Sequence, residues 1–104
     1  MIQIQITTNT SQQARQLASK LISEKLVLDA KIIKCDKIGA KGRVFKRSIQ
    51  QHMIIGSTKA LLFPIINKFV VKHSPKSAPE VYSLPIVHMD DQQAMLLRKT
   101  LTKV

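Results

Sequence analysis

The densest grouping of potential metal ligands is His88-Met89-Asp90-Asp91, where an imidazole, a thioether and two carboxylates fall on four consecutive residues. Mixed hard and soft donors of this kind would suit a borderline divalent ion, copper or zinc, if a fold made them converge. Adjacent residues seldom supply a full coordination shell, and an Asp pair before an apolar-periodic run also reads as a helix cap with the imidazole facing water. The second reading is the commoner one. His52 and His73 stand singly, and His73 ends a run of helical spacing, where a cation complements the helix dipole. Cys35 is the single cysteine, so an internal disulfide is excluded and the thiol is expected to be inert.

A second candidate chemistry is anion binding. Residues 31–47 carry Lys31, Lys34, Lys37, Lys41, Arg43, Lys46 and Arg47 against Asp36, and they hold about half of the formal charge of +11. A phosphate-bearing ligand or nucleic acid would explain the cluster, and so would lysines guarding an exposed strand edge. Lys41-Gly42-Arg43-Val44-Phe45 begins like the central RNA-recognition motif. That motif stacks bases on two or three aromatics, and with 4% aromatic residues in the whole chain Phe45 has no stacking partner. A base-stacking platform is therefore not expected, whereas nonspecific phosphate binding stays open.

Catalysis has little to work with. There is no G-x-S-x-G, no phosphate-cradling glycine loop and no carboxylate pair at helical spacing. Thr7-Thr8-Asn9-Thr10 reads as a strand end and helix cap, without the arginine and glycines an acyl-phosphate hydrolase would want there. A non-enzymatic protein is expected.

The elements that must position these residues follow from periodicity. Ile2, Ile4 and Ile6 alternate with Gln3, Gln5 and Thr7, the period-2 pattern of a strand with one buried face. Thr10 and Gln13 have capping-box spacing, and Ala14, Leu17, Ala18, Leu21 and Ile22 then recur at steps of three and four, predicting a helix of about 15 residues. Residues 30–38 read as a strand whose apolar phase changes between Ile32 and Ile33, predicting a bulge or bend. The Gly39-Ala40-Lys41-Gly42 stretch predicts a hairpin returning through Val44-Phe45 to Met53-Ile54-Ile55. Ser57 or Thr58 is the expected cap of a second helix carrying Leu61, Leu62, Ile65, Ile66, Phe69 and Val70. Pro64 is harmless there if the helix begins near Leu62. Val81 to Val87 reads as a fourth strand with Tyr82, Leu84 and Ile86 on one face, at an edge or bulged because Pro85 lacks a ladder donor. Asp90 or Asp91 then caps a third helix through Ala94, Leu97 and Leu101.

The order β-α-β-β-α-β plus a terminal helix predicts one α+β domain over residues 1–104, a ferredoxin-like sandwich with a long second-to-third-strand hairpin and a C-terminal helix. Hairpin arms of eleven to thirteen residues would reach roughly 35–40 Å, whereas a domain of this size has a radius of gyration of about 13 Å. The tip must stand clear of its own core, and an unsupported two-stranded ribbon is expected to pair with another subunit. The longest apolar stretch, Leu61-Leu62-Phe63-Pro64-Ile65-Ile66, is far short of a membrane span. No secretory signal is read at Met1-Ile2-Gln3-Ile4, so a cytoplasmic location is expected.

Two stretches carry a resemblance. Thr7-Thr8-x-x-Ser11 followed by Ala14-x-x-Leu17-Ala18-x-x-Leu21-Ile22-x-x-Lys25-Leu26, and Pro79-Glu80-Val81-Tyr82-Ser83-Leu84-Pro85-Ile86 followed by Leu96-Leu97-Arg98, resemble the divalent-cation tolerance family, the CutA proteins, relatives of the PII signalling proteins. The resemblance covers essentially the whole chain. It implies a homotrimer joined through the long hairpins, a binding or regulatory role linked to the response to metal ions, and ligand clefts at the subunit interfaces. On this resemblance the cleft candidates are Thr8, Glu80, Lys76, Arg43 and Lys46, with an anionic ligand as a candidate occupant. For a metal the candidates are His88, Asp90 and Asp29, Asp29 standing where the family has a cysteine. The aromatic hairpin of the family is here Ala40-Lys41-Gly42-Arg43-Val44, and its turn tyrosine and histidine correspond to Lys76 and Ser74, so a soft thiolate site is not implied. The alternative reading is a basic module for nucleic acid or a phosphate ligand on the same fold.

Overall fold

The computed structural model describes residues 1–41, 45–74 and 79–103 and, for 39–41 and 45–48, the backbone. Strand β1 (Ile2–Thr8) buries Ile4, Ile6 and Thr8 on one face and turns Gln3 and Gln5 to the other, as its alternation requires. Helix α1 (Ser11–Ser23) starts where the capping box places it. The Thr10 hydroxyl accepts from the Gln13 amide at 3.1 Å, and the Gln13 side chain accepts from the Asn9 amide at 3.3 Å. Strands β2 (Lys31–Lys41) and β3 (Phe45–Thr58) form the long hairpin. A 3-10 turn at Ala60–Leu62 leads into α2 (Phe63–His73), followed by β4 (Glu80–Pro85) and α3 (Asp91–Thr100).

The four strands lie antiparallel in the order β2-β3-β1-β4. The apolar stripes of α1 (Ala14, Leu17, Ala18, Leu21) and α2 (Ile66, Val70) meet Ile4, Ile6 and Ile54 of the sheet in one core, to which α3 adds Leu97. This is the α+β, ferredoxin-like arrangement that the element order predicts. The radius of gyration is 14.8 Å and the principal extents are 49 × 28 × 20 Å. The radius exceeds the roughly 13 Å usual for a compact domain of this length, and the long first extent is in keeping with a hairpin that outreaches the core.

Three local expectations are corrected. The β2–β3 register runs without interruption from Lys31↔Ile55 to Lys41↔Phe45, so no bulge separates Ile32 from Ile33. The strand is apolar on both faces at that point, Ile32 paired with Ile54 toward the helices and Ile33 with Met53 on the opposite side. Thr58 does not cap α2. It ends β3, fully buried, and its hydroxyl donates to the Leu26 carbonyl at 2.6 Å, while α2 begins at Phe63 with Pro64 in its first turn, where a missing N–H is harmless. Finally, β4 closes at Pro85, on the sheet edge, before reaching Val87.

The loop from α1 to β2 is held closely. Lys25 takes a left-handed conformation (φ 56°) as the chain leaves α1, and the Leu26 amide donates back to the Leu21 carbonyl at 2.9 Å. Thr102, beyond α3, donates from its amide and its hydroxyl to the Lys25 carbonyl at 3.0 and 3.2 Å. Gly56 of β3 completes the arrangement. A Cβ there would lie 2.9 Å from the Asp29 carbonyl oxygen and 3.6 Å from the Val27 side chain, so glycine lets this loop pack onto the strand.

Candidate functional site

Helices α1 and α2 cover one face of the sheet and leave the other open. Register assigns the open face its residues in cross-strand rows: Lys31, Ile55, Gln5 and Tyr82, then Ile33, Met53, Thr7 and Glu80, with Lys37 and Ile49 further along the hairpin. This surface is not one that water solvates well. Ile33, Ile49 and Tyr82 are 47%, 49% and 55% exposed, and Leu84, also on this face, is 45% exposed. Both sheet edges, β2 and β4, have unpaired backbone on one side within the chain.

Among the described residues one ion pair crosses this face. Lys37 Nζ of β2 lies 3.1 Å from Glu80 Oε1 of β4, linking strands at opposite edges of the sheet, and the Tyr82 hydroxyl donates to Glu80 Oε2 at 3.4 Å. Both charged side chains are about half exposed, so the pair contributes at most about 1 kcal/mol.

Of the cleft candidates, Thr8 and Glu80 are the two whose side chains lie among the described residues, and they occupy opposite faces of the sheet. Glu80 is paired in register with Thr7 and therefore sits on the open face, whereas Thr8 points into the helix-covered side. The Thr8 hydroxyl is committed there, donating to the His52 carbonyl at 2.8 Å. Lys46 stands opposite Ala40 in the hairpin ladder, its side chain outside the described residues, as are Arg43 and Lys76 altogether. Among the described residues Glu80 bonds to the side chains of Lys37 and Tyr82.

The metal candidates separate as well. The Asp90 carboxylate accepts from the Gln92 amide at 3.1 Å and caps α3, the commoner of the two readings of that cluster. His88 is exposed between β4 and α3, and Asp29 is exposed in the loop before β2. Among the described residues no three His, Cys, Asp or Glu side chains converge, and Cys35 lies half-buried in β2. His73 ends α2, its ring 4.2 Å from that of Phe69, where it complements the helix dipole.

A grouping not anticipated from sequence lies at the foot of the open face, at the end away from the hairpin turn. Gln3 of β1, Ser57 of β3, Lys31 at the start of β2, Asp29 before it and Gln93 of α3 line a cleft of about 220 Å³. Four separate segments contribute, and no linear motif joins them. A glycine at position 56, inside a strand, was the one available signal that another segment comes close.

The family model for the CutA1 divalent ion tolerance protein matches residues 2–99. No curated protein matches the sequence. Among solved structures, the divalent cation tolerance protein CutA1 of Thermus thermophilus shares 23% identity at a TM-score of 0.86, covering 98% of this chain and 100% of its own. CutA1 of Oryza sativa shares 20% at 0.89, covering 99% and 94%. The periplasmic divalent cation tolerance protein CutA of Archaeoglobus fulgidus shares 18% at 0.86, covering 96% and 98%. At these identities the structural likeness speaks for the fold, and the family match speaks for descent. A four-stranded sheet with the long hairpin, two helices on one face and a third closing the end is thus shared with these proteins along almost the whole chain, which belongs to the CutA1 divalent ion tolerance protein family.

Proposed function

We propose that this divalent ion tolerance protein acts without catalysis, as a homotrimeric binding or regulatory protein that self-associates through its hairpins and the open face of its sheet. The observation that carries this reading is the open face itself: Ile33, Ile49, Tyr82 and Leu84 are about half exposed on a sheet with two unpaired edges. A second and third copy would cover that surface and support the protruding hairpin. The ligand clefts then lie at subunit boundaries, around Glu80 with Lys76, Arg43 and Lys46 as the cationic partners of an anionic ligand. Copper or zinc enters this reading as the stimulus of the ion response, since among the described residues of one chain no three metal-ligating side chains converge. We place the protein in the cytoplasm, in keeping with a single unpaired thiol. No helix among the described residues is long and apolar enough to cross a membrane.

The test is to place a charge on the open face, as Ile33→Glu or Ile49→Glu, and to measure mass in solution. Both side chains lie outside the buried core, so each variant retains its helical circular dichroism. The expected result is dissociation to a species near 11.7 kDa. An unchanged oligomer mass in both variants would show that this face is not the contact.

A further inference from the structure

On the helix layer, opposite the open face, a small polar notch lies where the start of α1 meets the end of α2. Gln13, Gln16 and Lys20 of α1, with His73 and Ser74 at the end of α2, line its volume of about 30 Å³. Ser74 is the C-cap of α2 and is only 7% exposed, so its hydroxyl is set into the structure. That hydroxyl accepts from Gln13 Nε2 at 3.4 Å. Among the described residues its own proton has no acceptor, which leaves one donor to offer to whatever enters the notch. Self-association through the open face of the sheet leaves this side of the molecule uncovered.

The notch is edged by donors. Gln13 is oriented by its place in the α1 cap: its Oε1 accepts from the Asn9 amide at 3.3 Å, so the end it turns to Ser74 is the NH₂. Lys20 has no ion pair or hydrogen bond through its ammonium among the described residues. Neither helix supplies a competing carboxylate, because Ser11–Ser23 and Phe63–His73 contain no Asp or Glu and carry Arg15, Lys20, Lys68 and Lys72. The positive dipole end of α1 and the negative end of α2 stand side by side here and offset each other, so side chains set the sign of the field. That sign is positive.

Size and charge define the occupant. A volume of about 30 Å³ exceeds the roughly 10–15 Å³ that one water needs and is too small for the body of a metabolite, so it suits the oxygens of a compact anion. Beside it a shallow depression of about 480 Å³ runs along α1 past Arg15 and Ser19, and Gln16 and Lys20 border both. We infer that the notch binds a tetrahedral oxyanion, either inorganic phosphate or the phosphoryl group of a small phosphate ester. Its oxygens accept from Ser74 Oγ and Lys20 Nζ, and the body of an ester lies along α1 toward Arg15. A cation would face Lys20, and a neutral molecule would leave that ammonium unused. The site is complete within one chain and does not depend on the trimer.

Isothermal titration of the intact protein tests this, with sodium phosphate and ribose 5-phosphate as probes and sodium acetate as a control. Ionic strength is held constant, because a chain of charge +11 draws any anion diffusely. At least one phosphate probe is expected to bind at low millimolar concentration or below, with acetate about tenfold weaker for its single charge and fewer oxygens. Tighter binding of the ester identifies an ester as the source, and the reverse order identifies the free ion. Lys20→Gln should weaken binding about tenfold and Ser74→Ala severalfold, whereas Lys99→Gln, which removes the same charge from α3, should change it less than about twofold. Mass and circular dichroism are measured alongside, and the exposed Lys20 gives a variant that keeps its fold even if Ser74→Ala does not. The inference is overturned if neither probe produces heat up to about 20 mM, if acetate binds as well as phosphate, if Lys99→Gln weakens binding as much as Lys20→Gln, or if Lys20→Gln and Ser74→Ala both bind like the parent, which would place the anion elsewhere on the chain.

Discussion

Replacing Thr58 by valine removes one hydroxyl and keeps the shape of the side chain, which makes it a clean probe of how the loop after α1 is fastened. In the parent, Thr58 Oγ1 donates to the Leu26 carbonyl at 2.6 Å, between residues that are 0% and 4% exposed. The variant leaves that carbonyl buried without the donor, at a cost of about 1–3 kcal/mol. The added methyl recovers up to about 0.8 kcal/mol if it packs, so the net loss should be about 1–2 kcal/mol. With a urea m-value of about 1–1.5 kcal/mol/M for a chain of this length, the unfolding midpoint falls by roughly 1 M. Unfolding is followed by circular dichroism at one fixed protein concentration, because self-association would make the midpoint concentration-dependent. Thr102→Val supplies the contrast. Its hydroxyl bonds to the Lys25 and Glu24 carbonyls at 3.2 and 3.3 Å but is exposed, so water replaces it and the loss should be no more than a few tenths of a kcal/mol. Equal midpoints for Thr58→Val and the parent, or a larger loss in Thr102→Val, would refute the reasoning that burial gives the Thr58 bond its weight.

Other substitutions read other parts of the account. Gly56→Ala puts a Cβ 2.9 Å from the Asp29 carbonyl oxygen, a backbone atom that cannot rotate away, and should cost about 1–3 kcal/mol in the same urea assay. Glu80→Gln breaks the ion pair with Lys37, and because both side chains are about half exposed the loss should stay under about 1 kcal/mol and shrink further in 0.5 M salt, as checked by melts at two salt concentrations. Asp90→Ala removes the α3 cap and should cost about 1 kcal/mol, with Asp90→Asn near neutral because asparagine caps comparably. Among the described residues of one chain no three metal-ligating side chains converge, so dialysis against a chelator should leave the melting temperature unchanged, and a fall of several degrees would show a resident cation held between copies.

The parts of this fold that sequence made legible are those governed by near neighbours. The Ile2-Ile4-Ile6 alternation, the Thr10–Gln13 box, the Asp90 cap and the edge position demanded by Pro85 each depend on residues a few positions apart, and each is found in the structure. Misreadings arose where a distant segment decides. Thr58 resembles a cap, yet its hydroxyl is claimed by a carbonyl 32 residues away. The Ile32-Ile33 doublet looks like a slip in phase only if one strand face must be polar, and the open face of this sheet is not. For the candidate site the same limit holds. Glu80 was identified through its motif, but its partner Lys37 is 43 residues away, and whether Thr8 and Glu80 share a face depends on the β1–β4 register. The cleft lined by Gln3, Asp29, Lys31, Ser57 and Gln93 was invisible because it unites residues of ordinary type from four separate stretches.

The central claim is that the open sheet face and the hairpin are contact surfaces among three copies of the chain. Sedimentation equilibrium of the unmodified protein at micromolar concentration tests it most directly. The account predicts a single species of about 35 kDa, three times the 11.7 kDa chain, and a stable species of 11.7 kDa would contradict it.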